Sequence, residues 1–241
     1  MADFGFTSED VLRKVRELSP RILLSFSTGK DSIGATLAVR RAGFDDIVPF
    51  YMYQVPGNLE FIEESLAYYE RTLFDGRHIV RVPHPFIQRA MRKKILQPPE
   101  RIELIDGMDF ERYSSDDLAD NIIDSLGWPE ETYVALGIRA TDSQNRYTLF
   151  KKRGMAAAVN EANNKFYPIF DWNKERLVEE IVKSGVKLPI DYRLFGKTFD
   201  GLDLRFIYPL RKHFPRDYER MKFWWPLLDV EFFRYEHRQA V

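Results

Sequence analysis

Arg21-Ile22-Leu23-Leu24-Ser25-Phe26 is a short apolar run that gives way to Ser27-Thr28-Gly29-Lys30-Asp31-Ser32, and Ile33–Arg41 follows with helical spacing up to Gly43. A run of this length and composition suits a buried strand, and glycine just past the helical stretch suits its C-terminal stop. The order is therefore strand, polar loop, helix. Upstream, Val11, Leu12, Val15 and Leu18 recur at helical spacing over 8–18, and Pro20 separates that helix from the strand. Downstream, the pattern predicts strands over 46–54, 77–82, 132–138 and 166–169. It predicts helices over 59–73, 86–95, 115–126 and 173–184, with a turn at Pro56-Gly57-Asn58. Alternation of this kind predicts an α/β fold with a parallel sheet and helices on both faces. Ligands in such sheets sit beyond the carboxyl ends of the strands, where the 25–32 loop falls.

The bulk composition narrows the classes. The chain has 241 residues, 44% of them apolar and 30% charged, with a net charge of −1. These values fit a globular protein and give no global attraction to nucleic acid. No apolar run approaches the roughly 20 residues of a bilayer-spanning helix. Met1-Ala2-Asp3-Phe4-Gly5 lacks the basic-then-apolar layout of a signal peptide, so a cytoplasmic location is expected. Two local basic clusters stand out, Arg89, Arg92, Lys93 and Lys94, and Lys151, Lys152 and Arg153. Cysteine is absent, which removes disulfides, thiolate metal sites, iron–sulfur clusters and cysteine nucleophiles on this chain. Histidines 78, 84, 213 and 237 form no close pair, so no resident metal site is expected. His84, flanked by prolines, reads either as a packed loop residue or as a rigidly placed acid/base group.

A strand ending in small hydroxylated residues and a glycine before a helix presents backbone N–H groups to an anion. Ser25, Ser27, Thr28 and Ser32 add hydroxyls, Gly29 permits close approach, and Lys30 adds positive charge. Asp31 repels phosphate unless it orients the loop or meets a magnesium ion bridging phosphates. The segment is thus read as a phosphate-binding loop for ATP or a related adenine nucleotide. It is not a Walker loop: that pattern needs glycine five positions before the Gly-Lys pair and Ser or Thr directly after it, where this chain has Leu24 and Asp31. A second loop follows the 132–138 strand, Gly137-Ile138-Arg139-Ala140-Thr141-Asp142-Ser143-Gln144-Asn145-Arg146. Arg139 and Arg146 there suit a clamp on phosphate or sulfate, or else surface ion pairs with nearby acids.

Ser27, Gly29, Asp31 and Ser32 resemble the Ser-x-Gly-x-Asp-Ser loop of the PP-loop ATP pyrophosphatases, in the branch similar to phosphoadenosine phosphosulfate (PAPS) reductases. The Gly137–Arg146 segment is similar to that branch's Gly-x-Arg loop, and Tyr167-Pro168-Ile169-Phe170-Asp171-Trp172 resembles its Pro-Ile-x-x-Trp segment. Tyr68-Tyr69-Glu70 through Arg81-Val82-Pro83-His84-Pro85 also looks like reductase-like proteins common in bacteriophage genomes. The resemblance spans 21–184. It implies a Rossmann-like, adenine nucleotide alpha-hydrolase-like domain over 1–190. After residue 190 the composition turns aromatic, ending in Phe223-Trp224-Trp225-Pro226 and Phe232-Phe233-Arg234-Tyr235. Residues 191–241 are therefore read as a helical extension packed on that domain, or else as an aromatic platform for a base or partner protein.

The family's reductases attack sulfur with a cysteine near the C-terminus, and the corresponding region, 196–209, has none. Reduction by that route is disfavoured. What the resemblance implies instead is cleavage of ATP between the α- and β-phosphates, transfer of AMP to an acceptor, and release of pyrophosphate. Ser25, Ser27, Thr28, Gly29, Ser32, Gly137 and Ser143 would bind the nucleotide, with Lys30 stabilising charge. Asp31 would support the loop or magnesium, and Arg139 and Arg146 would hold the α-phosphate or acceptor. A nucleic acid or partner protein is the expected acceptor class. The second reading is a cysteine-free module that binds or senses an adenine nucleotide or sulfonucleotide without cleaving it.

Overall fold

A computed structural model describes residues 4–95, 97–108 and 117–239. The first helix, α1 (Ser8–Leu18), has Thr7 as its cap: Asp10 N–H donates to the Thr7 hydroxyl and the Asp10 carboxylate accepts from Thr7 N–H. This reciprocal arrangement satisfies two amides that a helix start leaves without partners. The chain continues through β1 (Arg21–Ser25), α2 (Lys30–Ala42), β2 (Asp46–Tyr53), α3 (Glu60–Leu73), β3 (Val80–Pro83), α4 (Pro85–Arg92), α5 (Pro99–Asp106), α6 (Asp117–Ser125) and β4 (Tyr133–Ala135). Then come α7 (Gln144–Arg153), α8 (Met155–Ala158), β5 (Val159–Asn160), β6 (Lys165–Phe166) and α9 (Lys174–Ser184). Four further helices follow: α10 (Ile190–Phe195), α11 (Leu204–His213), α12 (Pro215–Trp224) and α13 (Leu228–Gln239).

The strands form one six-stranded sheet in the order β3-β2-β1-β4-β6-β5. β1 runs parallel to β2 and to β4, and β4 runs parallel to β6, while β5 and β6 pair antiparallel. The fold is therefore α/β with a mostly parallel sheet, consistent with a Rossmann-like arrangement. β1 is the pivot. From it the chain moves to β2 and β3 on one side and reaches β4 on the other. The crevice beyond the carboxyl ends of β1 and β4 is thus the topological switch point. Ile22, Leu23 and Leu24 are fully buried, as expected for a central parallel strand covered by its surroundings.

Contacts divide the chain into two compact units. The first comprises the described residues of Met1–Tyr51, Tyr69–Val80 and Asp116–Leu188. In it α1, α2 and α9 pack together. Gly34 makes the α2–α9 approach close: a Cβ there would lie 2.3 Å from Leu177 Cδ1 and 3.5 Å from the Trp172 ring. The second unit comprises the described residues of Met52–Tyr68, Arg81–Ser115 and Pro189–Val241. Its core is aromatic. Phe61 is buried among Phe195, Phe199 and Phe214, with ring centroids 5.0 to 6.2 Å away. Asp217 of α12 accepts from the Glu60 and Phe61 amides at 2.7 and 3.2 Å, capping the start of α3 with a residue far away in sequence.

Several boundaries differ from the periodicity. α2 begins at Lys30 rather than Ile33, so Lys30, Asp31 and Ser32 occupy a helix's first turn. β3 starts at Val80 rather than 77, and β4 spans only Tyr133–Ala135 of the expected 132–138. The strand expected over 166–169 is the two-residue β6, because Pro168 has no N–H to continue a ladder. The helix expected over 86–95 ends at Arg92, where Lys93 caps it and Lys94 takes a φ of 52°. Residues 115 and 116 of the helix expected over 115–126 lie outside the described residues. Among the described residues no helix is long and apolar enough to cross a membrane.

Candidate functional site

Ser25 ends β1, and Phe26, still buried, donates its amide to Phe50 O on β2 at 2.8 Å. The chain then turns at Thr28, which is buried and holds a φ of 61°. A threonine in the left-handed region is disfavoured by its branched Cβ, so the surrounding structure holds this turn against a local cost. Gly29 is the N-cap of α2 and supplies no side-chain oxygen to the first-turn amides. Ser32, one turn into the helix, turns its hydroxyl back to Gly29 O at 2.8 Å and lies 3.4 Å from the Ser27 hydroxyl. Thr36 donates to Ser32 O, tying down the next turn. The segment is thus a braced turn delivering a helix N-terminus, where the macrodipole and first-turn amides favour an anion.

Gly137 closes the second side. A Cβ there would lie 2.7 Å from Asp31 O, 2.8 Å from Asp31 C and 2.9 Å from Ser32 N. Only glycine lets the strand end after β4 lie against the backbone of the first turn of α2. Two residues on, Arg139 is buried and reaches Asp31: its Nε lies 2.7 Å from Asp31 Oδ1. Lys30 Nζ lies 2.9 Å from the other carboxylate oxygen, so Asp31 stands between two cations. Arg139 also bridges to Asp142, through Nη2 at 2.9 Å and through its backbone amide at 2.8 Å.

The Arg139–Asp31 contact is close but not directional. Asp31 Oδ1 and Arg139 Nε are both buried and neither makes a hydrogen bond of acceptable angle. Charge attraction holds them together while the hydrogen-bonding capacity of each goes unused. In folded proteins such buried polar atoms are rare, and functional sites are one of the places they collect.

The remaining expected residues fall differently. Arg146 sits in the first turn of α7, exposed, with Nη1 3.2 Å from Asp142 Oδ2. Ser143 caps that helix, its hydroxyl accepting from Arg146 N at 3.2 Å. Segment 137–146 is therefore part loop and part helix start, and Asp142 is the hub joining its two arginines. Asp142 is not among the residues expected from sequence. It lies in a short turn just before α7, with Arg139 in extended conformation, so helical pair spacing does not mark it in the sequence. The segment at 167–172 supports this loop: Ala140 N donates to Phe170 O at 2.7 Å, and the Thr141 hydroxyl donates to Trp172 O.

His84 lies in the other unit. It caps α4, its Nδ1 accepting from Phe86 N at 3.2 Å, and burial together with the Arg89 charge holds it below the ordinary imidazole range. That is the packed-residue role. A cavity of about 530 Å³ lies at the opposite, N-terminal end of β4, lined by Asp120, Asp124, Glu130, Glu131 and Lys165. Its acidic wall does not suit an anion. Among the described residues no group of three or more histidines and carboxylates is placed to hold a metal ion. No family model matches this chain, and no curated protein matches it.

Proposed function

We propose that the chain binds MgATP at the 25–32 and 137–142 segments and cleaves it between the α- and β-phosphates, passing AMP to an acceptor and releasing pyrophosphate. This reading places the chain with the adenine nucleotide alpha-hydrolase-like proteins that its loop resembles. The observation that carries it is the buried contact between Asp31 and Arg139, which joins two segments 108 residues apart at the carboxyl ends of adjacent strands. The Ser-x-Gly-x-Asp-Ser pattern and the Gly-x-Arg pattern are independent in sequence. Their meeting at one helix N-terminus is what a shared phosphate site requires.

In this reading the first-turn amides of α2 and the hydroxyls of Ser27 and Ser32 hold the pyrophosphate portion. Lys30 and Arg139 offset the charge that grows on the phosphates as the α–β bond breaks. Asp31 aims both cations. With its carboxylate already between Lys30 and Arg139, it is a poor resident magnesium ligand, and the ion instead arrives on the substrate with most of its waters. Arg146, held on Asp142 at the rim, is available to the acceptor. No protein nucleophile is needed, since positioning and charge neutralisation supply the rate.

The test incubates the purified protein with MgATP and candidate DNA, RNA and small-molecule acceptors, following AMP and pyrophosphate. A Lys30→Ala, Asp31→Ala double variant is run beside it. The expected result is acceptor-dependent pyrophosphate release that the variant loses. Equal product from both proteins would overturn the site. Release of γ-phosphate would overturn the reaction class, and saturable ATP binding without cleavage would assign the chain to the sensing reading.

A further inference from the structure

The second unit carries a surface that the nucleotide reading does not use. Phe86, in the first turn of α4, is 52% exposed and stacks nearly parallel on Trp225, with ring centroids 6.4 Å apart and planes inclined by 17°. Arg89 and Lys93 lie three and seven positions further on, along the same helix face as Phe86, with Arg92 beside them. All three cations are exposed, and none forms an ion pair among the described residues. Beside them in this unit, the Arg101 guanidinium lies 4.4 Å from the centre of the Phe223 ring, which is itself 42% exposed. One nitrogen of Arg101, Nη1, is buried with no hydrogen-bond partner.

Two of these features are costly to an unliganded protein: the like charges on one helix face and the buried Arg101 nitrogen that lacks a hydrogen-bond partner. Like charges one turn apart, as at Arg89 and Lys93, weaken a helix. Basic residues at a helix C-terminus do complement its dipole, but that accounts neither for the exposed ring of Phe86 nor for the unpaired nitrogen of Arg101. A large aromatic ring left in water beside unpaired cations fits a ligand that is both anionic and flat.

We propose that this surface binds single-stranded nucleic acid, with Phe86 on its Trp225 base and the Phe223–Arg101 pair as stacking platforms, and with Arg89, Arg92 and Lys93 on the phosphates. Stacked rings beside a line of cations are how sequence-tolerant single-strand binders work, because every base has a π-face. Arg89 and Lys93, about 5–6 Å apart at Cβ, reach neighbouring phosphates from one face. An acidic peptide would satisfy the cations and leave the rings unused. A duplex would bury its bases away from them. The surface stands independently of the proposed ATP reaction.

The experiment titrates the full chain, without ATP, into end-labelled oligothymidylate and oligouridylate of about 16 nucleotides, which spans a typical single-strand site, and reads fluorescence anisotropy over a range of salt. Binding is expected, weakening as salt rises. Arg89→Gln with Lys93→Gln should weaken it about tenfold and make the salt slope shallower by roughly 1.4, at about 0.7 for each phosphate left without its cation. Phe86→Leu keeps apolar volume on Trp225 but removes the π-face. It should weaken binding about tenfold and leave the salt slope unchanged. The DNA and RNA arms tell which strand is preferred. Absence of binding, tighter binding to a duplex of the same length, or loss of neither affinity nor slope in these variants would overturn the proposal. So would binding to anionic vesicles or a poly-glutamate peptide in preference to the oligonucleotides. Because no ATP is present, failure of the pyrophosphate assay leaves this result unaffected.

Discussion

Arg139 Nε lies 2.7 Å from Asp31 Oδ1, joining the loop after β4 to the first turn of α2. Arg139 is buried, and it is also the link from Asp31 to Asp142. Arg139→Ala should therefore do two things. It should remove nucleotide binding, and it should destabilise the fold by about 2–3 kcal/mol, because a partly buried carboxylate loses one of its two cations. Arg139→Lys keeps the charge but cannot span both carboxylates, so it should recover most of the stability and little of the binding. Urea denaturation and an ATP-binding titration check the two separately. Full ATP binding by Arg139→Lys would show that the forked geometry is not what matters.

Gly137 makes a sharper prediction. Its absent Cβ is what admits the Asp31 and Ser32 backbone at 2.7 to 2.9 Å, and backbone cannot move aside as a side-chain tip can. Gly137→Ala should cost about 1–3 kcal/mol in stability from overpacking, with ATP binding falling further as the two segments are pushed apart. Gly107→Ala is the control, since a Cβ there meets nothing closer than 3.5 Å. A melting temperature for Gly137→Ala equal to that of the control would mean the close approach is not tight in solution.

Much of the layout is legible in the chain. The apolar run at 21–26, the glycine at 43 and the periodicity over 8–18, 46–54, 59–73 and 173–184 mark elements that form within a residue or two of those bounds. What is not legible is decided by tertiary contacts. The short apolar runs at 132–138 and 166–169 do not show where strand pairing stops, so periodicity makes β4 and β6 too long. Pro168 ends β6, and only pairing shows where β5 lies. In the candidate site, the turn between Ser25 and Lys30 is legible because a strand, a short polar loop and a helix follow one another within a few residues. Asp142 is not, because its role, holding Arg139 and Arg146 together, depends on where those side chains turn. The capping of α3 by Asp217, across 157 positions, has no local signature at all.

The pH dependence of stability should carry the mark of Asp191. Burial pushes this carboxyl above its usual 3.8, although Phe199 N donates to its Oδ2 at 2.8 Å and offsets part of the effect. Its other oxygen is buried without a partner. A carboxyl whose pKa is raised in the folded state binds more protons folded than unfolded. Its contribution is therefore most favourable below 3.8 and declines as pH rises through its folded value. Glu9 and Glu180, each held below the ordinary range, act the opposite way and weaken the fold as pH falls. Asp191→Asn keeps an acceptor for Phe199 N and removes the buried charge. It should melt higher than wild type at neutral pH, with the difference shrinking as the pH falls to about 4, near the ordinary aspartate range. A difference that stays constant with pH would show that Asp191 is not the titrating group.

The packing of α2 on α9 can be tested as a pair. Gly34→Ala would place a Cβ 2.3 Å from Leu177 Cδ1, a contact that must be relieved by turning the leucine, while the Trp172 ring and Ile169 stay at ordinary distances of 3.5 and 3.7 Å. The clash should cost about 1–3 kcal/mol, reduced by the roughly 1 kcal/mol that alanine gains over glycine inside a helix. Leu177→Ala alone empties a fully buried site and should cost about 2–5 kcal/mol. In the double variant the new methyl enters the space the leucine leaves, so neither penalty is felt in full. The two changes should then couple favourably by about 1–2 kcal/mol in a denaturation cycle, against near-additivity for residues that do not touch. Strict additivity would mean that α9 shifts away bodily when Gly34 is filled, and that the helix pair is held by contacts other than this one.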